Sequence, residues 1–185
     1  MYQRLTPETS LLVIVDIQER LMPAILDSRQ VTFNARRLLE AAGAIGVPVV
    51  VTEQYPQGLG NTVQELIPHI PEGSPVLAKK AFSIYDDEPI RAEIDRHQRP
   101  QVILCGVETH VCIQQSAFDL LRAGREVHIV VDAVGSRFAD NGTVALRRFE
   151  SAGMALTTTE SLLFEWCRTA AHPQFKLFSR LAKEG

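Results

Sequence analysis

The chain has 185 residues, 45% of them hydrophobic and 22% charged, which suits one domain over residues 1–185 with a core that needs no staples. Its 22 acidic and 19 basic residues leave a formal net charge of -3 with no basic block, which argues against nucleic acid as a partner. No apolar run approaches the roughly 20 residues that cross a bilayer. Met1 to Glu8 also lacks the charged-then-apolar layout of a signal peptide, so no membrane partner and a cytoplasmic location are expected.

Strand-length apolar runs recur along the chain at Leu11 to Asp16, Val47 to Glu53, Val76 to Lys79, Gln101 to Gly106, Glu126 to Val131 and Met154 to Thr157. Their near-continuous hydrophobicity predicts strands covered on both faces, as in a parallel sheet. Between them, Val31 to Ile45, Thr62 to Ile67, Asp87 to Arg96, Thr109 to Ala123 and Asn141 to Ala152 carry helical spacing. Gly46, Gly124 and Gly153 stand where helices should stop. The expected fold is therefore an α/β three-layer sandwich: a single-domain, doubly wound, Rossmann-like arrangement on a mostly parallel sheet of about six strands. A dinucleotide site is not expected, because no GxGxxG loop follows the first strand.

Such a sheet binds ligands at the carboxyl ends of its strands, so polar residues that end apolar strands carry the most weight. Asp16 ends the first strand, either as a turn residue or as a carboxylate with a perturbed pKa fit for a general base. The third strand runs into Lys79 and Lys80, which must point in different directions, so at most one faces a cleft.

The segment Val102 to Ile113 carries a buried strand through Gly106 into a helix whose first turn holds Cys112, with Thr109 as the expected N-cap. Unpaired N–H groups at such a start lower a thiol pKa and can bind an oxyanion. Cys105 and Cys167, in a strand and in a helical tail, read as buried structural residues, and three cysteines without CxxC spacing suggest neither a disulfide framework nor a zinc site. His110 lies two residues from Cys112, about 200° around a regular helix, which argues against a Cys-His dyad and favours an acid such as Asp16 as base. His69, His97, His128 and His172 are expected in loops or surface-facing contexts, and they form no metal-binding spacing.

The runs Leu12 to Gln18, Thr52 to Pro56, Lys79 to Ser83 and Gly106 to Cys112, in this order and spacing, resemble the isochorismatase-like cysteine hydrolases over nearly the whole chain. Tyr55 to Gly60 and Ala171 to Phe175 are similar to the branch called isochorismatase domain-containing proteins. The resemblance implies an Asp-Lys-Cys triad of Asp16, Lys79 and Cys112, with the Phe82-Ser83 register selecting Lys79 over Lys80. It further implies a non-proline cis peptide between Val107 and Glu108 that turns an N–H toward the oxyanion, and a homo-oligomer whose partners help close the pocket. Nicotinamidase members of the family hold a metal through Asp-x-His and a further His, where this chain has Glu53-Gln54-Tyr55-Pro56, so no metal and no cofactor are expected. Gln18, Tyr55 and Phe82 are expected around the pocket of a small amide or acyl substrate cleaved at a C–N or C–O bond. The competing reading is a non-catalytic binding protein or thiol redox sensor using Cys112, perhaps with Cys105, although a disulfide needs Cα atoms within about 7 Å.

Overall fold

The structure is a computed structural model that describes residues 4–184; Met1 to Gln3 and Gly185, at the two ends of the expected domain, lie outside the described residues. Six strands form one parallel sheet: β1 (Ser10–Val15), β2 (Val49–Gln54), β3 (Val76–Lys79), β4 (Gln101–Val107), β5 (Glu126–Gly135) and β6 (Ala155–Thr157). Their spatial order is β3-β2-β1-β4-β5-β6, the doubly wound arrangement whose order reverses between β1 and β4.

Strand periodicity divides β1 between two cores. Leu12 and Ile14 face a layer made by α1 (Ser28–Ile45), α6 (Thr159–Cys167) and α7 (Phe175–Lys183). Leu11, Val13 and Val15 face α3 (Glu88–Arg96), α4 (Gln114–Arg122) and α5 (Ala139–Ser151). Val31, Ala35, Leu38, Leu39 and Ala42 recur at helical spacing on α1 and are all buried, each large side chain contributing about 1.5–3 kcal/mol of transfer free energy. Trp166 on α6 is buried as well, its indole N–H donating to Ser10 Oγ at 3.0 Å.

The expected helix over Thr62 to Ile67 is absent. Thr62 instead bridges to Gln18, its N–H and hydroxyl both donate to the buried Glu53 carboxylate (2.6 and 2.8 Å), and only a 3-10 turn, Ile67–His69, follows. Side-chain competition for the backbone outweighed the apolar spacing. A single helical turn, α2 (Pro56–Leu59), precedes it. The third strand is an edge strand, largely exposed rather than covered on both faces. β5 is longer than expected and passes a register irregularity opposite Leu104/Gly106. His128 lies buried within β5 rather than at the surface; burial holds its imidazole below the usual range, with Glu126 and Glu165 acting in the opposite direction. No helix among the described residues is long and apolar enough to cross a membrane.

Candidate active site

Four strands deliver polar side chains to one place at their carboxyl ends, on either side of the β1/β4 reversal. Asp16 follows β1 with φ 55°, a left-handed conformation that Asp tolerates better than most residues and that re-aims its side chain at the rim. Its backbone N–H still donates to Thr52 O at 3.1 Å, so the turn is anchored to β2. Gln54 and Lys79 are register partners at the ends of β2 and β3, which makes their side chains neighbours. Cys112 enters from the turn after β4.

That turn departs from expectation. Residues Thr109–Ile113 form a π-turn in which Glu108 O accepts from both Val111 N (3.0 Å) and Ile113 N (3.2 Å). The N-cap is Glu108 rather than Thr109, and no side chain caps it. Of these two donors only Val111 N is among the four N–H groups that a regular helix start leaves free. The Val107–Glu108 peptide bond is cis. Beside it, Arg137 N donates to the Glu108 carboxylate at 2.9 Å and Arg137 Nε at 3.1 Å, while Ser116 Oγ donates to Cys112 O at 2.5 Å and accepts from Ile84 N at 3.0 Å. The residue carrying the thiol is thereby tied to α4 and to the loop after β3.

Asp16 and Lys79 have fully buried side chains, with Lys79 Nζ 2.7 Å from Asp16 Oδ2. Lys80 is exposed. Thr52 Oγ1 donates to Asp16 Oδ1 at 2.8 Å. The Lys79 ammonium donates to Gln54 Oε1 at 2.6 Å, Phe82 O at 3.1 Å and Ala81 O at 3.3 Å. Asp16 Oδ2 lies within 2.7 Å of the ammonium but outside hydrogen-bonding alignment with it, so the contact is an ionic one. Cys112 is 6% exposed, with Sγ 4.0 Å from Gln54 Oε1.

Burial and the neighbouring Asp16 carboxylate push the Cys112 thiol up to about 12, outweighing the pull of Lys79. This runs against the expectation that a helix start would lower it: desolvation and the adjacent carboxylate both disfavour the thiolate. Burial and Asp16 together thus favour a protonated sulfur at rest.

His110 belongs elsewhere. Its Nδ1 is 2.9 Å from Ser136 Oγ and its Nε2 is 3.3 Å from Asn141 Nδ2. The regular-helix reasoning against a dyad does not apply to a π-turn, yet the ring is taken up by other partners. Gln18 is fully buried and its amide is committed to backbone: Nε2 donates to Gln54 O (3.1 Å) and Gly60 O (2.6 Å), and Oε1 accepts from Gln54 N (2.7 Å). It supports Gln54 rather than offering a donor to substrate. Tyr55 and Phe82, which follow Gln54 and Lys79 closely in the chain, are 51% and 52% exposed, and the Tyr55 ring lies over Gly58. Thr52 and Gln54 escaped the sequence reading. They share one face of β2 at the end of an apolar run, the same signal that singled out Asp16 on β1. Cys105, Cys112 and Cys167 are all free thiols, and Cys105 is wholly buried in β4. Among the described residues, no three His, Cys, Asp or Glu side chains gather as a metal site would require.

A doubly wound sheet that brings a carboxylate, an ammonium and a thiol together at its reversal point defines a Rossmann-like α/β protein with a polar cluster at the ligand-binding edge. The isochorismatase domain matches residues 10–161, and the chain belongs to this family. It is 42% identical over 182 residues to isochorismatase domain-containing protein 2 of Rattus norvegicus, spanning 98% of this chain and 84% of that protein. Among solved structures it is similar to the MAR1 ribonuclease of Caenorhabditis elegans, with a TM-score of 0.94 and 37% identity over 99% of this chain and 94% of the other. It also shares the fold of the YcaC gene product of Escherichia coli, described as an octameric hydrolase of unknown specificity, with a TM-score of 0.91 and 24% identity over 98% and 90% of the two chains.

Proposed function

We propose that this protein is a cysteine hydrolase acting on a small amide or related acyl compound. The observation that carries the reading is the buried Asp16 carboxylate, in ionic contact with Lys79 and within reach of the Cys112 thiol that it helps to keep protonated. In the first half-reaction the Cys112 proton passes to Asp16 Oδ2 as sulfur bonds to the substrate's carbonyl carbon, and the C=O electron pair becomes an oxyanion. Lys79 balances the charge as it moves from carboxylate to sulfur, and the backbone of Cys112 and of Val107-Glu108 holds the oxyanion. Collapse breaks the C–N bond, the amine leaves with the proton held on Asp16, and a thioester remains. Water then gives one proton to Asp16 and adds to the thioester carbon; the sulfur leaves, takes that proton back, and the acid is released. Tyr55 and Phe82 would flank a flat acyl group.

The test is a panel of small amides and esters with mass-spectrometric trapping of acyl adducts. Wild type should yield an adduct on Cys112, and Cys112→Ala should lose both adduct and turnover. Activity retained in Cys112→Ala ends the reading, whereas reversible peroxide oxidation of Cys112 with no adduct from any substrate favours a sensor.

The name of the C. elegans relative raises RNA cleavage as a second reading. Against it stand the net charge of -3 and a site whose one buried cation is already paired with Asp16, leaving little to bind a phosphate backbone. Including RNA in the same panel decides between the two. The reading also takes the protein as a homo-oligomer in which a second copy covers the half-exposed Tyr55 and Phe82. Light scattering of the purified protein should return a multiple of 20.6 kDa; a monomer at micromolar concentration overturns this part.

A further inference from the structure

We infer that Gln54 is a positioning residue that keeps the general base open, by holding the Lys79 ammonium so that its hydrogens point away from Asp16 Oδ2. The inference rests on the nucleophile reading of Cys112 and deepens it.

The orientation of the Gln54 amide follows from its surroundings. Nε2 donates to Lys80 O at 2.9 Å, and a carbonyl oxygen can only accept; Oε1 faces the Lys79 ammonium at 2.6 Å, which can only donate. The opposite amide orientation would mismatch both ends. The backbone is fixed as well, since Gln54 N donates to Gln18 Oε1 and Gln54 O accepts from Gln18 Nε2. A single polar side chain buried in β1's following turn thus locks both polar groups of one peptide position on β2.

The consequence falls on Lys79. Of the oxygens around its nitrogen, Gln54 Oε1 is the nearest acceptor of a hydrogen, with the carbonyls of Phe82 and Ala81 taking the other two. These three leave Asp16 Oδ2 in ionic contact at 2.7 Å without a donor. If Gln54 Oε1 is removed, one ammonium hydrogen is freed beside the carboxylate, and the short Nζ–Oδ2 separation lets it turn there. A carboxylate oxygen that accepts a charge-assisted hydrogen bond is a weaker base, so it takes the thiol proton less readily. Gln54 therefore acts on sulfur through Lys79 and Asp16, beside the weak hydrogen bond it accepts from the thiol itself at 4.0 Å, and does so without contacting substrate.

The experiment follows iodoacetamide alkylation of Cys112 across pH by peptide mass spectrometry, with the buried Cys105 and Cys167 as internal controls. In wild type the proton moves within the Asp16–Cys112 pair, so the rate should form a plateau across neutral pH and rise only where hydroxide removes the proton. Gln54→Met fills the same space without an acceptor for the ammonium. The neutral plateau should fall about tenfold, the factor one charge-assisted hydrogen bond commands, while the alkaline limb stays in place. Gln54→Glu provides a second check: it keeps an acceptor for Lys79 but adds negative charge about 4 Å from sulfur, and should move the alkaline limb to higher pH. A merely structural role would lower thermal stability and scale the whole profile without changing its shape. A reactive wild type whose plateau is unchanged in Gln54→Met overturns the role of Gln54 alone. A wild type with an unreactive Cys112 overturns the nucleophile reading beneath it, and this inference with it.

Discussion

Asp16→Asn is expected to reduce turnover by about 10²–10⁴-fold, the range typical of a lost general acid–base. The substitution keeps the side-chain shape and the oxygen that accepts from Thr52 Oγ1, so the rim of β1 retains its geometry. What disappears, on the proposed mechanism, is the acceptor for the thiol proton and the acid for the leaving amine. The same change removes the negative charge that raises the thiol, and Lys79, still donating to three oxygens, then draws the thiolate pKa down. Stoichiometric alkylation and turnover should therefore separate. In the variant the proton must go to solvent, so the alkylation rate should climb about tenfold per pH unit across the neutral range in place of a plateau. Stability should fall too, because a buried ammonium loses its counter-charge; a broken buried pair costs about 3–5 kcal/mol. Parallel assays of turnover, alkylation against pH, and urea unfolding check all three. A variant that keeps the flat alkylation profile would show that Asp16 does not take the proton.

The sheet was legible in the sequence because parallel strands buried on both faces leave long apolar runs, and β1, β2 and β4 are of this kind. β3 was found by the same apolar run although it is a largely exposed edge strand, so there the signal marked a strand without marking burial on both faces. The Thr62 segment misled because its apolar spacing sits among side chains that compete for the backbone, and Glu53, too distant in sequence to be read locally, takes both donors of Thr62. At the site, strand ends pointed to Asp16 and to the lysine pair, and the family register chose Lys79. The π-turn at Cys112 was not legible, since it arises from Glu108 O accepting two N–H groups. The high thiol pKa was equally hidden: it depends on how deeply the turn is buried and how near Asp16 comes, both set by tertiary packing.

Gly106 is the position where fold and site depend on the same atom-level contact. It lies in β4 with φ +121°, opposite Val15 of β1, and a Cβ there would stand 2.0 Å from Val15 O. That oxygen is backbone in the centre of the sheet, with β2 on its far side, so neither strand can yield without breaking the pairing that sets Asp16 against the Cys112 turn. Gly106→Ala should cost about 4 kcal/mol or more, lowering the melting temperature by roughly 8–16 °C or preventing folding altogether. Gly46 supplies the comparison: it ends α1 at φ +72°, but a Cβ there would meet nothing within 4 Å. Gly46→Ala should therefore lose only the conformational penalty, about 1–2 kcal/mol, and leave Cys112 reactivity unchanged. Thermal unfolding of the two variants beside wild type separates steric exclusion from backbone preference. Equal losses at both positions would mean that the β1–β4 approach is looser than the structure shows, and that the distance between the Asp16 turn and the Cys112 turn is not fixed by the sheet.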